Sequence, residues 1–214
     1  MRAFTDITVL LDRSGSMASI KESMEAAFDT FIKEHKAVPS TKVTLVQFNN
    51  HNDQDVVYQC VPVGAVEKLN LKPCGNTPLI DAFVKLIDST GRRLADMSET
   101  ERPDQVLMVI ITDGQENASR QYKRADVSNR VRNQRDAYKW QFVYLGANQD
   151  AIAEAATYGI PHWNAITYDT SEQAIGGVVF ALASNTMAYT SNTSRGKAVP
   201  DFTPEQRKEA EGQA

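Results

Sequence analysis

The sequence has few cysteines, few histidines and no excess of positive charge. Its two cysteines, Cys60 and Cys74, are too few for a disulfide framework, so we expect free thiols in a reducing compartment. The three histidines, His35, His51 and His162, lack the spacing of metal ligands. A formal net charge of −4 provides no electrostatic footprint for nucleic acid. These shortages argue against a disulfide scaffold, a histidine metal site and a nucleic-acid partner.

The chain also lacks long apolar runs. No run is long enough to span a membrane, which predicts no membrane partner. Near the N-terminus, Asp6 interrupts what would have to be the apolar region of a signal peptide. We therefore expect a cytoplasmic protein.

What is present is an alternation of apolar, β-branched runs with amphipathic stretches. Four runs are typical of buried parallel strands: 7–12, 43–48, 106–111 and 142–146. Helical spacing of apolar residues predicts helices around 20–31, 80–87 and 175–186, with weaker patterns over 118–138 and 150–158. Ser19 and Glu22 have the spacing of a capping box for the first helix.

One connection is too short for a parallel crossover, which needs about a dozen residues or more. Only "NNHNDQD" separates Phe48 from the apolar run 56–61, so these two strands should form an antiparallel hairpin. The expected fold class is α/β, with a three-layer arrangement. A mostly parallel central sheet has one antiparallel edge strand and helices on both faces.

The composition changes after Tyr189. Residues 191–214 contain few apolar side chains and two prolines. We therefore expect one domain over residues 1–190 and a polar C-terminal tail over 191–214, with a short helix after Pro204.

Polar residues stand where the apolar strands end. In open α/β sheets, ligands bind beyond the carboxyl ends of the strands. The first strand ends at Asp12 in "DRSGSM", which also supplies Ser14 and Ser16. Asp113 follows the strongest strand pattern, and Thr77 precedes a predicted helix. If the two strands are neighbours, two carboxylates and three hydroxyls converge at one rim.

These five side chains offer only oxygen ligands, which suit a hard divalent cation such as Mg²⁺, Mn²⁺ or Ca²⁺. Adjacent carboxylates repel each other unless a cation lies between them. The hydroxyls add no negative charge, so the metal would attract a carboxylate from outside the chain. The pattern therefore predicts a metal site that a partner protein completes with an aspartate or glutamate.

The order D-x-S-x-S, then T-P, then T-D-G resembles the metal-ion-dependent adhesion site (MIDAS) of the von Willebrand factor A (vWA) domain family. The resemblance covers roughly residues 4–189 and implies a Rossmann-like vWA fold. It implies that Ser14, Ser16 and Thr77 bind the metal directly. Asp12 and Asp113 would act mainly through metal-bound waters, or directly in one of two states. The chain is similar to small stand-alone bacterial or bacteriophage vWA proteins.

Other readings of the same residues stay open. Thr77 before Pro78 is also a good helix N-cap, and Asp113-Gly114 is a common turn pair. A Mg²⁺-dependent phosphoester hydrolase is the alternative function, although phosphatases of the haloacid-dehalogenase type would need a second aspartate where Ser14 stands. The P-loop and GxSxG patterns are absent, and no general base stands beside the serines, so we expect no enzyme. A third alternative is a structural subunit that does not use the metal.

Residues next to the motif have two interpretations each. Arg13 either steers an acidic partner or is solvated, and Asp81 either accepts hydrogen bonds behind the metal loops or faces solvent. Four amide residues are expected on loops at the same rim, as partner contacts or as turn residues: Asn76, Gln115, Asn117 and Asn148.

Overall fold

The computed structural model describes residues 4–38, 40–191 and 197–212. The strands are β1 (Thr5–Asp12), β2 (Thr41–Phe48), β3 (Asp55–Pro62), β4 (Gln105–Thr112), β5 (Gln141–Ala147) and β6 (Ala165–Tyr168). The α-helices are α1 (Lys21–His35), α2 (Leu79–Asp96), α3 (Arg124–Tyr138), α4 (Ala151–Thr157), α5 (Glu172–Thr190) and α6 (Pro204–Ala210). Short 3-10 helices lie at Gly15–Ile20, Val63–Ala65, Glu99–Glu101 and His162–Asn164.

All six strands form one sheet in the order β3-β2-β1-β4-β5-β6. Every neighbouring pair is parallel except β2 and β3, which are antiparallel. The predicted hairpin, edge strand and mostly parallel sheet are therefore confirmed. In the register of β1 and β4, Leu11 lies opposite Ile111, so the carboxyl ends of these two strands are adjacent. Strand β6 was not predicted, because its four residues are too few for a clear pattern.

Helices cover both faces of the sheet, as expected for a three-layer α/β fold. The strands alternate between two apolar clusters, as β structure requires. Ile7, Val9 and Leu11 belong to the cluster that contains α1 and α5 residues. Leu10 belongs to the opposite cluster, with residues of α2, α3 and α4. Within the described residues, none of the helices combines the length and apolar content needed to cross a membrane.

The described part of the C-terminal segment packs on the domain. Val199, Phe202 and Ala210 are buried against the cluster that contains α5. The Arg207 guanidinium donates to the carbonyl oxygen of Ala165 at 2.8 Å, and the Asp169 N–H donates to the carbonyl oxygen of Ala210 at the same distance. Residues 197–212 therefore cover the edge strand β6, whereas a domain boundary at residue 190 stays a prediction.

Two local predictions about helix starts are wrong. Helix α1 begins at Lys21 after a 3-10 helix, and no side chain caps it. The Ser19 hydroxyl donates instead to the carbonyl oxygen of Ser16, so there is no Ser19–Glu22 capping box. Helix α3 begins at Arg124 rather than near residue 118. Both cysteines are free thiols, as expected.

Candidate metal-binding site

Three segments converge at the carboxyl ends of β1 and β4. Asp12 is the last residue of β1, and Asp113 directly follows the last residue of β4. The segment before α2 is tied to the loop after β1 by two backbone hydrogen bonds. The Gly15 N–H donates to the Gly75 carbonyl oxygen at 2.9 Å, and the Cys74 N–H donates to the Arg13 carbonyl oxygen at 2.9 Å. The fold thus fixes the loops that carry the motif against one another.

All five predicted residues meet at this rim. The Ser14 and Ser16 hydroxyl oxygens lie 3.1 Å apart, and the Ser16 hydroxyl donates to Asp113 Oδ1 at 2.7 Å. A methyl group built on Gly114 would lie 3.6 Å from both the Ser16 and the Thr77 hydroxyl oxygens, so these two hydroxyls face the same small space.

Asp12 is buried and accepts a hydrogen bond on each carboxylate oxygen. The Ser14 N–H donates to Oδ1 at 2.7 Å, and the Thr112 hydroxyl donates to Oδ2 at 2.6 Å. Burial raises the pKa of Asp12 to about 6, although the bonds from Thr112 and Ser14 act in the opposite direction. Thr112 thus supports the site, a role that the sequence pattern did not assign to it.

Asp113 is also shielded from water, with 2% of its surface exposed. Burial raises the pKa of this carboxyl, and the hydrogen bond from Ser16 partly offsets that effect. Among the described residues, no lysine or arginine forms an ion pair with Asp12 or Asp113. The rim therefore holds two carboxylates that no cationic side chain of the described ranges neutralises.

The donor set at this rim fits a hard cation. Two carboxylates and three hydroxyls are the oxygen ligands that Mg²⁺ and Ca²⁺ prefer. No group of three or more histidine, cysteine, aspartate or glutamate side chains in the described ranges is arranged to hold a metal ion. A cation at this rim would therefore need the hydroxyls as well as the carboxylates.

Thr77 does not act as a helix cap. Helix α2 begins at Leu79, Pro78 occupies the N-cap position, and no side chain caps the helix. Two hydrogen bonds of the Thr77 backbone, one to the side chain and one to the backbone of Asn117, hold this residue in place instead. The Thr77 N–H donates to Asn117 Oδ1 at 2.9 Å, and the Asn117 N–H donates to the Thr77 carbonyl oxygen at 3.1 Å. The buried Thr77 hydroxyl is thus left free for the shared space with Ser16.

Two acidic residues at the start of α2 and after β4 stabilise the loop that follows Asp113. The Asp81 carboxylate accepts backbone N–H bonds from residues 120, 121 and 122. The Glu116 carboxylate accepts backbone N–H bonds from residues 80, 118 and 119. Asp81 is therefore an acceptor behind the loops and does not face solvent. Glu116 had no recognisable motif in the sequence.

Arg13 and Asn148 also have structural roles. The Arg13 guanidinium pairs with Asp55 at the start of β3, and only 15% of its side chain is exposed, so it neither projects toward a partner nor is fully solvated. Asn148 adopts a left-handed backbone conformation with φ of 55°, and its side-chain amide donates to the Asp113 carbonyl oxygen at 3.1 Å. The turn interpretation of Asn148 agrees with this geometry.

A comparison with known proteins shows which family the domain belongs to. A family model described as "von Willebrand factor type A domain" matches residues 6–160. No curated protein matches the chain significantly.

Solved structures with the same fold have low sequence identity. Proximal thread matrix protein 1 from the mussel byssus matches with a TM-score of 0.59 and 16% identity, over 85% of this chain and 45% of that one. The pilus adhesin SpaC from Lactobacillus rhamnosus GG has a TM-score of 0.63 and 10% identity, over 88% of this chain and 30% of that one. The vWF domain of a type V pili tip protein from Porphyromonas gingivalis has a TM-score of 0.54 and 10% identity, over 92% and 98%. This chain therefore spans less than half of the first two proteins, and the likeness concerns the fold alone.

Proposed function

Because this chain belongs to the von Willebrand factor type A domain family, we propose that it is a protein-binding module with a divalent cation at the rim of β1 and β4. The cation, Mg²⁺ in the first instance and Mn²⁺ or Ca²⁺ as alternatives, is held by Asp12, Ser14, Ser16, Thr77 and Asp113. An aspartate or glutamate of a partner protein completes its coordination.

The observation that carries this proposal is the convergence of five oxygen-bearing side chains at one rim, where hydrogen bonds link Asp12, Ser14, Ser16 and Asp113. Ser16 bonds to Asp113 and lies beside Ser14, while the Thr77 hydroxyl faces the same space. In this role Ser14, Ser16 and Thr77 present hydroxyl oxygens, and Asp113 supplies charge. Asp12, already bonded on both oxygens, orients the loop. A bound divalent cation would offset the charge of the two buried carboxylates and attract a third carboxylate from outside.

The nature of the matched structures agrees with a role in attachment. One of them is described as a pilus adhesin and another as a pili tip protein, and these descriptions apply to those proteins. For this chain, binding to a protein partner is the proposal. A bacterial or bacteriophage origin and a cytoplasmic location stay predictions.

The test uses two serines of the same 3-10 helix, both exposed. Ser16→Ala removes a proposed ligand, whereas Ser19→Ala removes a hydroxyl whose one bond within the described part of the chain is to the Ser16 carbonyl oxygen. Thermal melts in EDTA and across a Mg²⁺ or Mn²⁺ titration should give a saturable rise in Tm for the wild type and for Ser19→Ala. The rise should be absent or strongly reduced in Ser16→Ala, because only a ligand that binds the native state stabilises it.

A flat response of the wild type, or an equal response of Ser16→Ala, would contradict the metal site. Partner capture in Mg²⁺ compared with EDTA then tests the binding role, which Thr77→Ala should abolish.

The alternative functions predict different results. A hydrolase would turn over a generic phosphoester with Mg²⁺, and a structural subunit would assemble equally well with Asp12→Ala.

A further inference from the structure

A polar cavity of about 520 Å³ lies beside the candidate metal site. It is bounded by the β2–β3 connection, the first turn of α2 and the loop between β4 and α3. Asn117, which is bonded to Thr77 through both its side chain and its backbone, lines the cavity. The cavity and the metal rim therefore share one wall.

Three of the five asparagines that line this cavity are fixed through their side-chain oxygens, whereas a fourth, Asn49, uses its amide nitrogen to donate to a backbone carbonyl oxygen. Each of the three oxygens accepts from a backbone N–H: Asn50 from Asn76 at 2.8 Å, Asn52 from Gln54 at 3.1 Å and Asn117 from Thr77 at 2.9 Å. A backbone N–H can only donate, so the bond partner decides which amide atom is oxygen. Among the described residues, no acceptor bonds to the three amide nitrogens.

Among the described residues that line the cavity, one cationic side chain has no ion pair. Arg120 lines the cavity and is exposed, and no carboxylate in the described ranges forms an ion pair with its guanidinium. The acidic residues at the same cavity are already compensated. Asp53 pairs with Lys85 at 2.6 Å, and Asp81 accepts three backbone N–H groups. The cavity therefore offers fixed hydrogen-bond donors and one positive charge, which favours an anionic acceptor.

We propose that this cavity binds a second carboxylate of the same partner segment whose first carboxylate completes the metal site. This inference rests on the proposed function and narrows it, because the partner would then be a segment with two acidic groups. The three asparagine amides and the Arg120 guanidinium would donate to the second carboxylate. The bonded pair Asn117 and Thr77 holds the two subsites at a fixed separation.

The experiment titrates isotope-labelled protein with linear dicarboxylates from succinate to sebacate, in Mg²⁺ and in EDTA. Each dicarboxylate is compared with the monocarboxylate of equal length. The side-chain amide signals of Asn50, Asn52 and Asn117 report the cavity, and backbone signals of residues 14–16 report the metal rim. We expect at least one dicarboxylate to bind about fivefold more tightly than its monocarboxylate in Mg²⁺, with shifts of the cavity signals.

Arg120→Gln should abolish this preference for a dicarboxylate. Arg132→Gln is the matched control, because Arg132 is also exposed and has no ion pair among the described residues. Equal binding of mono- and dicarboxylates, unshifted cavity signals, or a preference that survives Arg120→Gln would each overturn the inference. Monocarboxylates that shift the backbone signals of the metal rim only in Mg²⁺ would support the proposed function. Cavity shifts without any rim response to Mg²⁺ would reject the metal site and overturn the inference that one partner segment occupies both subsites.

Discussion

At the scale of single residues, Thr112 is the main support of the buried Asp12 carboxylate. Its hydroxyl donates to Asp12 Oδ2 at 2.6 Å and accepts from the Gly114 N–H at 3.2 Å. Thr112→Val keeps the shape but leaves a buried carboxylate oxygen with one bond fewer, which should lower the free energy of unfolding by about 1–3 kcal/mol. Urea unfolding with an unchanged m-value measures this loss.

Thr30→Val is the control for that substitution. Thr30 is an exposed residue of α1 whose hydroxyl donates to a carbonyl oxygen of its own helix and has no other bond among the described residues. Its replacement should change the free energy of unfolding by no more than about 0.5 kcal/mol. Similar losses in the two variants would mean that Thr112 has no special role at Asp12.

His35 gives the protein a pH dependence of stability. The ring is buried, with Nδ1 2.8 Å from the Phe31 carbonyl oxygen and Nε2 2.9 Å from the Thr186 hydroxyl. Burial lowers the pKa of His35 from its usual 6.5, so the unfolded chain binds a proton at a pH where the folded chain does not. This contribution to the free energy of unfolding is present above about pH 6.5 and is lost as the pH falls toward the lowered pKa.

Three buried carboxyl groups act in the opposite direction. Burial raises the pKa values of Asp6, Asp12 and Asp113, so these groups favour the folded state as the pH falls. The His35 effect is therefore measured as a difference between proteins. Denaturation at pH 7.5 and pH 5.5 should show a smaller loss of stability for His35→Gln than for the wild type. The exposed His162, changed to Gln, should leave the wild-type loss intact.

Some residues of the candidate site could be recognised from the sequence, and others could not. Asp12, Ser14, Ser16 and Asp113 were predictable because strand ends place short polar residues at one rim, and Thr77 because its T-P step completes the order of the family motif. Thr112 and Glu116 were not, because their partners are an aspartate at the end of another strand and backbone groups of a neighbouring segment. Such partners become neighbours only when the sheet order is known.

At the scale of structural elements, the loop between β4 and α3 is held by acidic side chains. Asp81, on the first turn of α2, accepts backbone N–H bonds from residues 120–122. Asp81→Asn keeps the size of the side chain but weakens these bonds. It should lower the free energy of unfolding by about 1–3 kcal/mol and speed amide hydrogen exchange in residues 120–122.

Asp88→Asn is the matched change elsewhere on α2. Asp88 pairs with Arg130, and its side chain is 37% exposed, so its loss should cost less than about 1 kcal/mol. It should not affect exchange in the loop. Unchanged exchange in Asp81→Asn would show that other contacts hold the loop.

The same contacts explain why α3 starts later than its pattern predicted. Asp81 and Glu116 accept hydrogen bonds from the backbone N–H groups of residues 118–122, so this stretch is held as a loop instead of a helix. The helix then begins where the Lys123 N–H donates to the Asp126 carboxylate at 2.8 Å. Local periodicity could not reveal this start, because the competing acceptor Asp81 lies on another helix.

At the scale of the whole molecule, the C-terminal segment contributes to the core. Phe202 is 5% exposed and packs in the cluster of α1 and α5, whereas Phe180 on α5 is 62% exposed. Phe202→Ala should lower the free energy of unfolding by about 3–5 kcal/mol, the usual loss for a buried phenylalanine. Thermal or urea unfolding measures the change.

Phe180→Ala removes the same side chain from an exposed position. It should change the free energy of unfolding by no more than about 0.5 kcal/mol. If Phe202→Ala were equally mild, residues 197–212 would be only loosely attached to the domain.

The overall architecture was largely predictable from the sequence, and the C-terminal contribution was not. The strand runs 7–12, 43–48 and 106–111 are nearly continuous in apolar residues, and a seven-residue connection between 48 and 56 allows only a hairpin. Residues 197–212 contain few apolar side chains, so their pattern indicated a polar tail. Val199, Phe202 and Ala210 become core residues because α5 and β6 provide a surface for them.

The segment that packs against β6, residues 197–212, is synthesised later than β6 itself. Ribosomes make chains from the N-terminus at about 5–20 residues per second, and domains begin to fold as they emerge. Residues 197–212, which bond to Ala165 and Asp169, are made after every strand of the sheet. A nascent chain therefore exposes the free hydrogen-bonding edge of β6 for a time on the order of seconds. Chaperones that recognise unpaired strands would meet the growing polypeptide during that interval.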